Sequence, residues 1–204
     1  MQIFISGTDT DIGKTVISSW LCLHSGYEYF KPIQTGSIIS SDSQTVSLLS
    51  SAKVHKESYL FKEPCSPHLA AELENQEIDL KKIIVPNSKN LIIEGAGGLL
   101  VPLNRQHFII DLIKYFSVPV ILVCSSRLGT INQTLLSLEV LRQRAIIVLG
   151  VIIVGEHNFN NKHSIEFYGN VQVIMEMPLL SSVNKENLMR IPFNNKLKDL
   201  LRGK

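Results

Sequence analysis

Residues 7–15 constrain the fold of this chain more than any other segment, because they read GTDTDIGKT and directly follow a short apolar segment at residues 3–6. A strand that stops, turns and starts a helix aims successive backbone N–H groups and the positive helix end at one anionic ligand. Gly13 lets the backbone approach that ligand, Lys14 neutralises phosphate charge, and Thr15 offers a hydroxyl to Mg²⁺. The segment therefore predicts a P-loop that binds a nucleoside triphosphate with Mg²⁺.

The glycine spacing of this loop differs from the usual P-loop pattern. The pattern G-x-x-x-x-G-K-[ST] places its first glycine at position 8, where this chain has Thr8, with Gly7 one residue earlier. An ordinary strand-to-helix turn is the alternative, but apolar residues continue at helical spacing over residues 16–21. Partition-type ATPases carry a second lysine in the loop, at the place of Asp9. The loop therefore favours a P-loop and disfavours that class of ATPase.

Composition and charge limit the class of protein. With 204 residues, of which 45% are hydrophobic and 19% charged, we expect one globular domain over residues 1–204. A net charge of +2, from dispersed Lys and Arg residues, indicates neither a nucleic-acid nor a membrane surface. The three cysteines form no C-x-x-C pair, so we expect reduced thiols in a cytoplasmic protein. Strand-like sequence from residue 2 and the lack of long apolar stretches predict neither a signal peptide nor a membrane span.

Apolar segments rich in β-branched residues alternate with segments of helical periodicity. The apolar segments are continuous, as in strands buried on both faces. The pattern predicts an α/β fold, a P-loop NTPase-like three-layer sandwich with a mainly parallel central sheet and helices on both faces. In such a sheet, ligands bind at the carboxyl ends of the strands. The predicted strands cover residues 3–6, 29–33, 90–94, 118–125, 146–154 and 171–175, and the predicted helices cover residues 14–24, 42–51, 67–74, 108–116, 129–144, 162–168 and 192–201.

The second predicted strand ends in a segment suited to phosphate chemistry. Residues 31–36 read KPIQTG, so Lys31 and Thr35 could project a cation and a hydroxyl into the same crevice as Lys14. Taken alone, Lys31 would be a solvated surface lysine. Its place at a strand end beside a P-loop favours a role in the site.

Acidic residues at two further positions are candidates for binding Mg²⁺. Glu94 ends the third predicted strand and is followed by glycines at residues 95–98, which is where a P-loop protein places its Walker B carboxylate. A glycine-rich turn with an incidental Glu is the alternative. Asp42 is either a helix N-cap or a third contact of Mg²⁺.

The segment 129–132 is either a simple helix start or a site where backbone N–H groups receive a carboxylate.

Five motifs, taken together, resemble the dethiobiotin synthetase family. They read GTDT-x-x-GKT at residues 7–15, KP-x-x-TG at 31–36, SPH at 66–68, EGAGG at 94–98 and LG-x-IN at 128–132. The likeness runs from the first strand through the fifth, with a weaker echo in MPL at residues 177–179. It also accounts for Thr8, because the family has the same GTDT segment.

The resemblance implies a homodimeric ligase of biotin synthesis that depends on Mg²⁺ and ATP. Such an enzyme converts 7,8-diaminononanoate and CO₂ into dethiobiotin. One amine takes up CO₂ as a carbamate, ATP phosphorylates the carbamate, and the second amine closes the ureido ring with loss of phosphate. This chemistry needs positioning and charge neutralisation rather than a covalent nucleophile.

The resemblance also implies a role for each matching residue. The catalytic residues are Lys31, Lys14 and Thr10. The ATP-binding residues are Asp11, Ile12, Gly13, Lys14, Thr15, Val16, Glu94, Gly95, Ala96, Gly97, Pro178 and Leu179. The residues that bind the substrate are Thr35, Gly129, Thr130, Ile131 and Asn132, of which the last four serve the neighbouring subunit. The residues around Mg²⁺ are Thr15, Asp42 and Glu94.

One departure from the family concerns the nucleotide base. Family members commonly place an Asn directly after the fifth strand to read adenine, but residues 150–155 contain no amide side chain. Asn158 is the nearest substitute, and we expect weaker recognition of adenine than in an Asn-bearing relative.

Two other functions remain open from the sequence. A partner-regulated ATPase or switch shares the P-loop, although Lys31 and Asp9 disfavour it. An amide-forming synthetase related to the cobyrinic acid enzymes would normally carry a glutaminase region, for which this chain has no room.

Overall fold

The computed structural model of the protein describes residues 1–38 and 40–202. Short extended segments alternate with helices along the chain, as the periodicity predicts. The strands are β1 (Gln2–Gly7), β2 (Glu28–Phe30), β3 (Ile33–Gln34), β4 (Val54–His55), β5 (Tyr59–Leu60), β6 (Leu91–Gly98), β7 (Val120–Ser125), β8 (Val148–Val154) and β9 (Val173–Met177). The helices are α1 (Lys14–Ser25), α2 (Asp42–Ser50), α3 (Pro67–Leu73), α4 (Ile109–Phe116), α5 (Thr130–Gln143), α6 (Phe159–Gly169), α7 (Lys185–Arg190) and α8 (Asn195–Leu201).

Seven strands form a parallel sheet in the order β4-β2-β6-β1-β7-β8-β9. The strand β1 lies in its centre, and β6 lies between β1 and β2. All strands point the same way, so the segments that follow β1, β2 and β6 emerge at one edge of the sheet. This order brings together the three segments that carry the predicted phosphate and metal residues.

Both faces of the sheet are buried, and this explains the continuous apolar strands. Along β1, Ile3 and Ile5 face a cluster that includes Ile17 of α1 and Val46 of α2, whereas Phe4 faces a second cluster. Side chains of α3 and α4 pack in the second cluster, and a third cluster joins β7 and β8 to α5 and α6. The prediction of an α/β sandwich with helices on both faces is therefore confirmed.

One predicted strand is wrong in its extent. Residues 29–33 form two short strands instead of one, because β2 ends at Phe30 and β3 pairs with β5 in a separate two-stranded sheet. Pro32 has no N–H to donate to a neighbouring strand, and its carbonyl instead accepts from the backbone N–H of Ser58 and Tyr59. The break turns the chain at Lys31, directly beside the end of β6.

The predicted last helix, at residues 192–201, is also wrong in its start. The helix α8 begins at Asn195, where the Asn194 side chain caps it by accepting from the N–H of Leu197. A capping Asn marks the helix start, because its own backbone is extended and its side chain accepts from a first-turn N–H that has no partner within the helix. A separate short helix, α7, precedes this region, and the sequence did not predict it.

Among residues 1–38 and 40–202, no helix has both the length and the apolar character needed to cross a membrane.

Candidate active site

The loop between β1 and α1 has the backbone geometry of an anion-binding turn. Gly13 has a φ of +94° and is the N-cap residue of α1, a left-handed conformation that favours glycine. Gly7, at the end of β1, also has no room for a side chain, since an added Cβ would lie 2.6 Å from Cδ1 of Ile12. Within the described residues, no side chain caps the start of α1. Its first N–H groups are therefore suited to an anionic ligand.

Lys14 lies folded back over this loop. It is buried, and its Nζ donates to the carbonyl oxygen of Asp9 at 2.8 Å. Burial lowers the pKa of Lys14, the ammonium group of Lys31 lowers it further, and Glu94 opposes both effects. The Lys14 ammonium group pairs with no carboxylate among the described residues, so it remains available for phosphate oxygens.

Glu94 lies at the centre of a buried polar network at the end of β6. It is 1% exposed, and both carboxylate oxygens accept hydrogen bonds. Its Oε1 accepts from Oγ1 of Thr15 at 2.8 Å and from Nζ of Lys31 at 3.2 Å. Its Oε2 accepts from the hydroxyl of Tyr29 at 3.0 Å. Because these donors come from two separate segments, the start of α1 and residues 29–31, the direction of the carboxylate is well defined.

Lys31 is held between two carboxylates, Asp42 and Glu94. It is 4% exposed, so the alternative of a solvated surface lysine is wrong. Burial by itself would lower the pKa of Lys31, but Glu94 and Asp42 outweigh it and raise the pKa above the ordinary value. The ammonium group therefore stays charged at neutral pH.

Asp42 is the first residue of α2, and Ser41 is the N-cap. The Ser41 hydroxyl accepts from the N–H of Gln44, and the Gln44 side chain accepts from the N–H of Ser41. The alternative that Asp42 serves as the N-cap is therefore wrong. Its carboxylate is free of the capping role and pairs with Lys31.

A cavity of about 710 Å³ extends along this edge of the sheet, from the P-loop to the segment before α3. The predicted catalytic residues, the predicted metal-binding residues and Thr35 all lie in its wall. The described residues of the wall are Thr10, Asp11, Gly13, Lys14, Thr15, Val16, Lys31, Gln34, Thr35, Gly36, Ser40, Asp42, Pro64, Cys65, Ser66, Pro67, Glu94, Ala96, Gly97 and Val101.

Two of the predicted ATP-binding residues, Ile12 and Gly95, are not among the described residues of the cavity wall. The Ile12 side chain packs against the core on the α1 side of the sheet. Gly95 is buried, and a Cβ there would lie 2.8 Å from Cε1 of Phe4.

Two other predicted groups lie apart from the cavity wall of this chain. Pro178 and Leu179 are exposed and directly follow β9, at the far side of the sheet. The P-loop approaches that side, because a Cβ on Gly13 would lie 3.2 Å from Val154 at the end of β8. The start of α5, at residues 129–132, has Gly129 as an N-cap with no side-chain cap among the described residues. The roles of both groups remain predictions.

The residues of the site fit a Mg²⁺ ion that is shared with phosphate. Among residues 1–38 and 40–202, no group of three or more His, Cys, Asp or Glu side chains is arranged to hold a metal alone. Mg²⁺ commonly uses one or two carboxylates together with phosphate oxygens and water. The hydroxyl of Thr15 and the carboxylates of Glu94 and Asp42 are donors of this kind, and Thr15 already contacts Glu94.

Asn158, the suggested substitute for the base-reading amide, has a structural partner. Its side-chain oxygen accepts from the N–H of Asn161 and caps α6. Asn161 in turn donates to the carbonyl oxygen of Ser126. Recognition of adenine by Asn158 would use its side-chain NH₂ group or would require the cap to open.

Sequence reasoning missed Tyr29 and Gln34. Tyr29 lies two residues before Lys31, and this spacing in an extended stretch predicts that both side chains lie on the same side of the sheet. Gln34 lies within the KPIQTG segment, between two residues that line the cavity. Burial raises the pKa of Tyr29 well above its ordinary value and Glu94 raises it further, so the phenol stays protonated and donates.

Solved structures and family models define the class of this protein. A family model described as an AAA domain matches residues 1–187. The fold is similar to that of a ParA family ATPase from Chlorobium tepidum, with a TM-score of 0.56, 13% identity, and 98% and 96% of the two chains covered. The P-loop before α1, with a buried acidic residue at the end of the adjacent strand β6, places the chain in the P-loop NTPase class.

Curated relatives define the family. The ATP-dependent dethiobiotin synthetase of Lawsonia intracellularis is 54% identical over 200 residues, which are 98% of this chain and 98% of the relative. The ATP-dependent dethiobiotin synthetase of Paramagnetospirillum magneticum is 42% identical over 192 residues, or 93% and 94% of the two chains. The chain therefore belongs to the dethiobiotin synthetase family, and the resemblance seen in its motifs is confirmed.

Proposed function

We propose that this protein forms dethiobiotin from 7,8-diaminononanoate, CO₂ and ATP. The family supports the overall reaction. The observation that carries the assignment to this site is Lys31, a charged lysine held beside the P-loop between Asp42 and Glu94. A carbamate that attacks the γ-phosphate brings a second negative charge to the cavity, and a charged lysine at the end of β2 is placed to neutralise it. Residues 1–204 would act as one domain.

The proposed reaction has three steps. One substrate amine attacks the carbon of CO₂ and loses a proton, which gives a carbamate. A carbamate oxygen attacks the γ-phosphorus, and the bond from that phosphorus to ADP breaks. The second amine then attacks the carbamate carbon and loses a proton, the ureido ring closes, and inorganic phosphate leaves.

The residues in the cavity wall suit these steps. Lys14 and the N–H groups at the start of α1 would hold the β- and γ-phosphates. Lys31 would neutralise the carbamate and the transferring phosphoryl group, where preorganised charge has most effect. Thr10 and Thr35 would orient the substrate or the carbamate by hydrogen bonds.

Mg²⁺, held by Thr15, Glu94 and Asp42, would supply further neutralisation of phosphate charge. The remaining predicted ATP-binding residues, Asp11, Ile12, Val16, Gly95, Ala96, Gly97, Pro178 and Leu179, would contact the rest of the nucleotide.

We further propose that the working unit is a homodimer. The predicted substrate-binding residues at the start of α5, Gly129 to Asn132, lie outside the cavity wall of their own chain. The first N–H groups of α5 would receive the substrate carboxylate of a second copy. Exposed apolar side chains near this helix start, including Leu128 and Phe159, suit such a contact.

Light scattering coupled to size exclusion would measure the oligomeric state. We expect twice the 22.8 kDa mass of one chain. A monomer at micromolar concentration, with full activity in the same buffer, would contradict a substrate site shared between copies.

The charge and the cysteines support the remaining assignments. All three cysteines are free thiols, which suits a reducing, cytoplasmic location. The partners would be small molecules, namely the diamine, CO₂ or bicarbonate and a nucleoside triphosphate, rather than nucleic acid or a membrane.

An assay of product formation tests the proposed function. The protein would be incubated with 7,8-diaminononanoate, bicarbonate, Mg²⁺ and ATP, and mass spectrometry would detect the cyclic urea. We expect a product that requires all four components. ATP hydrolysis without the diamine, and no cyclic urea with it, would instead favour the alternative of a partner-regulated ATPase or switch.

A further inference from the structure

Gln34 is a buried polar residue in the cavity wall that the proposed reaction does not use. It is 6% exposed, and both ends of its side-chain amide have partners. Its Oε1 accepts from the backbone N–H of Asp42 at 2.9 Å, and its Nε2 donates to the carbonyl oxygen of Thr35 at 2.7 Å. A single side chain therefore links the first residue of α2 to the segment that follows β3.

This link differs from the local cap of α2. The capping box between Ser41 and Gln44 joins residues of the same turn, so it stabilises the helix start without attaching it to the cavity. The body of α2 is held by Val46 and Leu49 in the core. Gln34 thus provides a link from the start of α2 to the strand side of the cavity, separate from the core contacts that hold the body of the helix.

Asp42 connects the Gln34 contact to Lys31, because its backbone N–H binds Gln34 and its carboxylate pairs with Lys31. The Asp42 carboxylate pairs with Lys31 and is partly exposed, with 31% of its side chain accessible. A partly exposed carboxylate on a helix end samples several positions unless its backbone is held. Since the backbone N–H of Asp42 binds Gln34, the position of the carboxylate beside Lys31 depends on that contact.

We propose that Gln34 is a positioning residue for Lys31. It holds the start of α2 at the cavity, and this fixes the Asp42 carboxylate that pairs with the Lys31 ammonium group. This inference rests on the proposed function for its kinetic consequence, and on the described contacts for its structural one. The proposed role of Gln34 is to hold these residues in place and not to contact a reacting atom. Its second contact, to Thr35, orients the neighbouring predicted substrate-binding residue.

The variant Gln34→Met tests the proposal, because Met has a similar volume and makes neither hydrogen bond. We expect kcat to fall about tenfold, the effect of about 1.4 kcal/mol in the transition state. The KM for ATP should change little, because the P-loop contacts are untouched. The matched control is Ser41→Ala, which removes the local cap of α2 but leaves Gln34 in place.

Expected results separate a positioning role from a merely structural one. Both variants should lower the melting temperature modestly, but only Gln34→Met should lower kcat. A normal kcat in folded Gln34→Met would overturn the proposal. An equal loss of kcat in Ser41→Ala would also overturn it, because general stability of α2 would then explain the effect.

A second measurement does not depend on the proposed function. Acylation of Lys31 by acetic anhydride, quantified by peptide mass spectrometry relative to exposed Lys53, reports how firmly Lys31 is held. We expect Gln34→Met to raise the relative rate about fivefold, the population change given by about 1 kcal/mol, and Ser41→Ala to leave it unchanged. An unchanged acylation rate of Lys31 in Gln34→Met would overturn the structural link, even if the protein forms dethiobiotin. A raised acylation rate in a protein that forms no dethiobiotin would reject only the proposed enzymatic function.

Discussion

Replacing Lys31 with alanine is expected to lower kcat by about 10²–10³-fold, the typical cost of losing one preorganised transition-state donor. The ammonium group of Lys31 is buried and held by Asp42 and Glu94, so it is fixed before the substrates bind. In the proposed reaction, negative charge gathers where the carbamate meets the γ-phosphate. Without Lys31, those carboxylates would add repulsion at the same place.

Steady-state kinetics with the purified variant would check this expectation. Binding of ATP should be largely retained, because Lys14 and the P-loop remain. Circular dichroism and a melting curve would establish that Lys31→Ala folds. If Lys31→Ala does not fold, Lys31→Arg, which keeps the charge but changes its shape, would be measured in its place. In Lys31→Arg we expect a partial loss of kcat, because the planar guanidinium group cannot take the place of the compact ammonium group.

Lys53→Ala is a matched control for the loss of a paired lysine. Lys53 also pairs with a carboxylate, that of Glu28 at 3.3 Å, but its side chain is 69% exposed and lies away from the cavity wall. This variant should keep wild-type kcat, since exposed ion pairs contribute little. Near wild-type turnover in folded Lys31→Ala would remove Lys31 from the mechanism.

Replacing Glu94 with glutamine is expected to raise the Mg²⁺ concentration needed for half-maximal rate by about 10–100-fold, the range found when a group that supports a metal is changed. Glutamine has nearly the same shape, but it lacks the negative charge that attracts the ion. It also offers one accepting oxygen where Glu94 offers two, so either Tyr29 or the pair Thr15 and Lys31 loses its acceptor.

Two readouts would check the role of Glu94. Titration of the rate with Mg²⁺ at fixed ATP gives the metal requirement, and calorimetry of ATP binding with and without Mg²⁺ gives a value independent of turnover. The control Tyr29→Phe removes the donor to Oε2 but keeps the carboxylate charge. We expect a smaller change in that variant. An unchanged metal titration in Glu94→Gln would contradict its assignment as a ligand of Mg²⁺.

The two wrong elements share a physical cause. The strand predicted at residues 29–33 breaks because Pro32 cannot donate to a neighbour, and the last helix starts late because Asn194 caps it. In both places a single residue decided the boundary, Pro32 through its missing N–H and Asn194 through its capping side chain, while the apolar pattern around it continued. Periodicity predicts where a chain is buried more reliably than where each element ends.

Tyr29 and Gln34 show why part of the site escaped prediction. Tyr29 lies outside the five motifs, Gln34 occupies a variable position within KP-x-x-TG, and each acts through a partner from another segment. The Tyr29 hydroxyl reaches Glu94, 65 residues along the chain, because β2 lies next to β6 in the sheet. Gln34 reaches Asp42 because the chain leaves the main sheet after β2 and returns beside the start of α2.

The sequence by itself determined the phosphate-binding loop, the α/β class and the family, because these depend on local residue chemistry and on burial that repeats with the period of each element. Only the tertiary structure decided that Lys31 lies between Asp42 and Glu94, with Tyr29 and Thr15 closing the network. The physical reason is the strand order, which places β6 between β1 and β2. A buried charge can be held only where such an order brings its partners within hydrogen-bond distance.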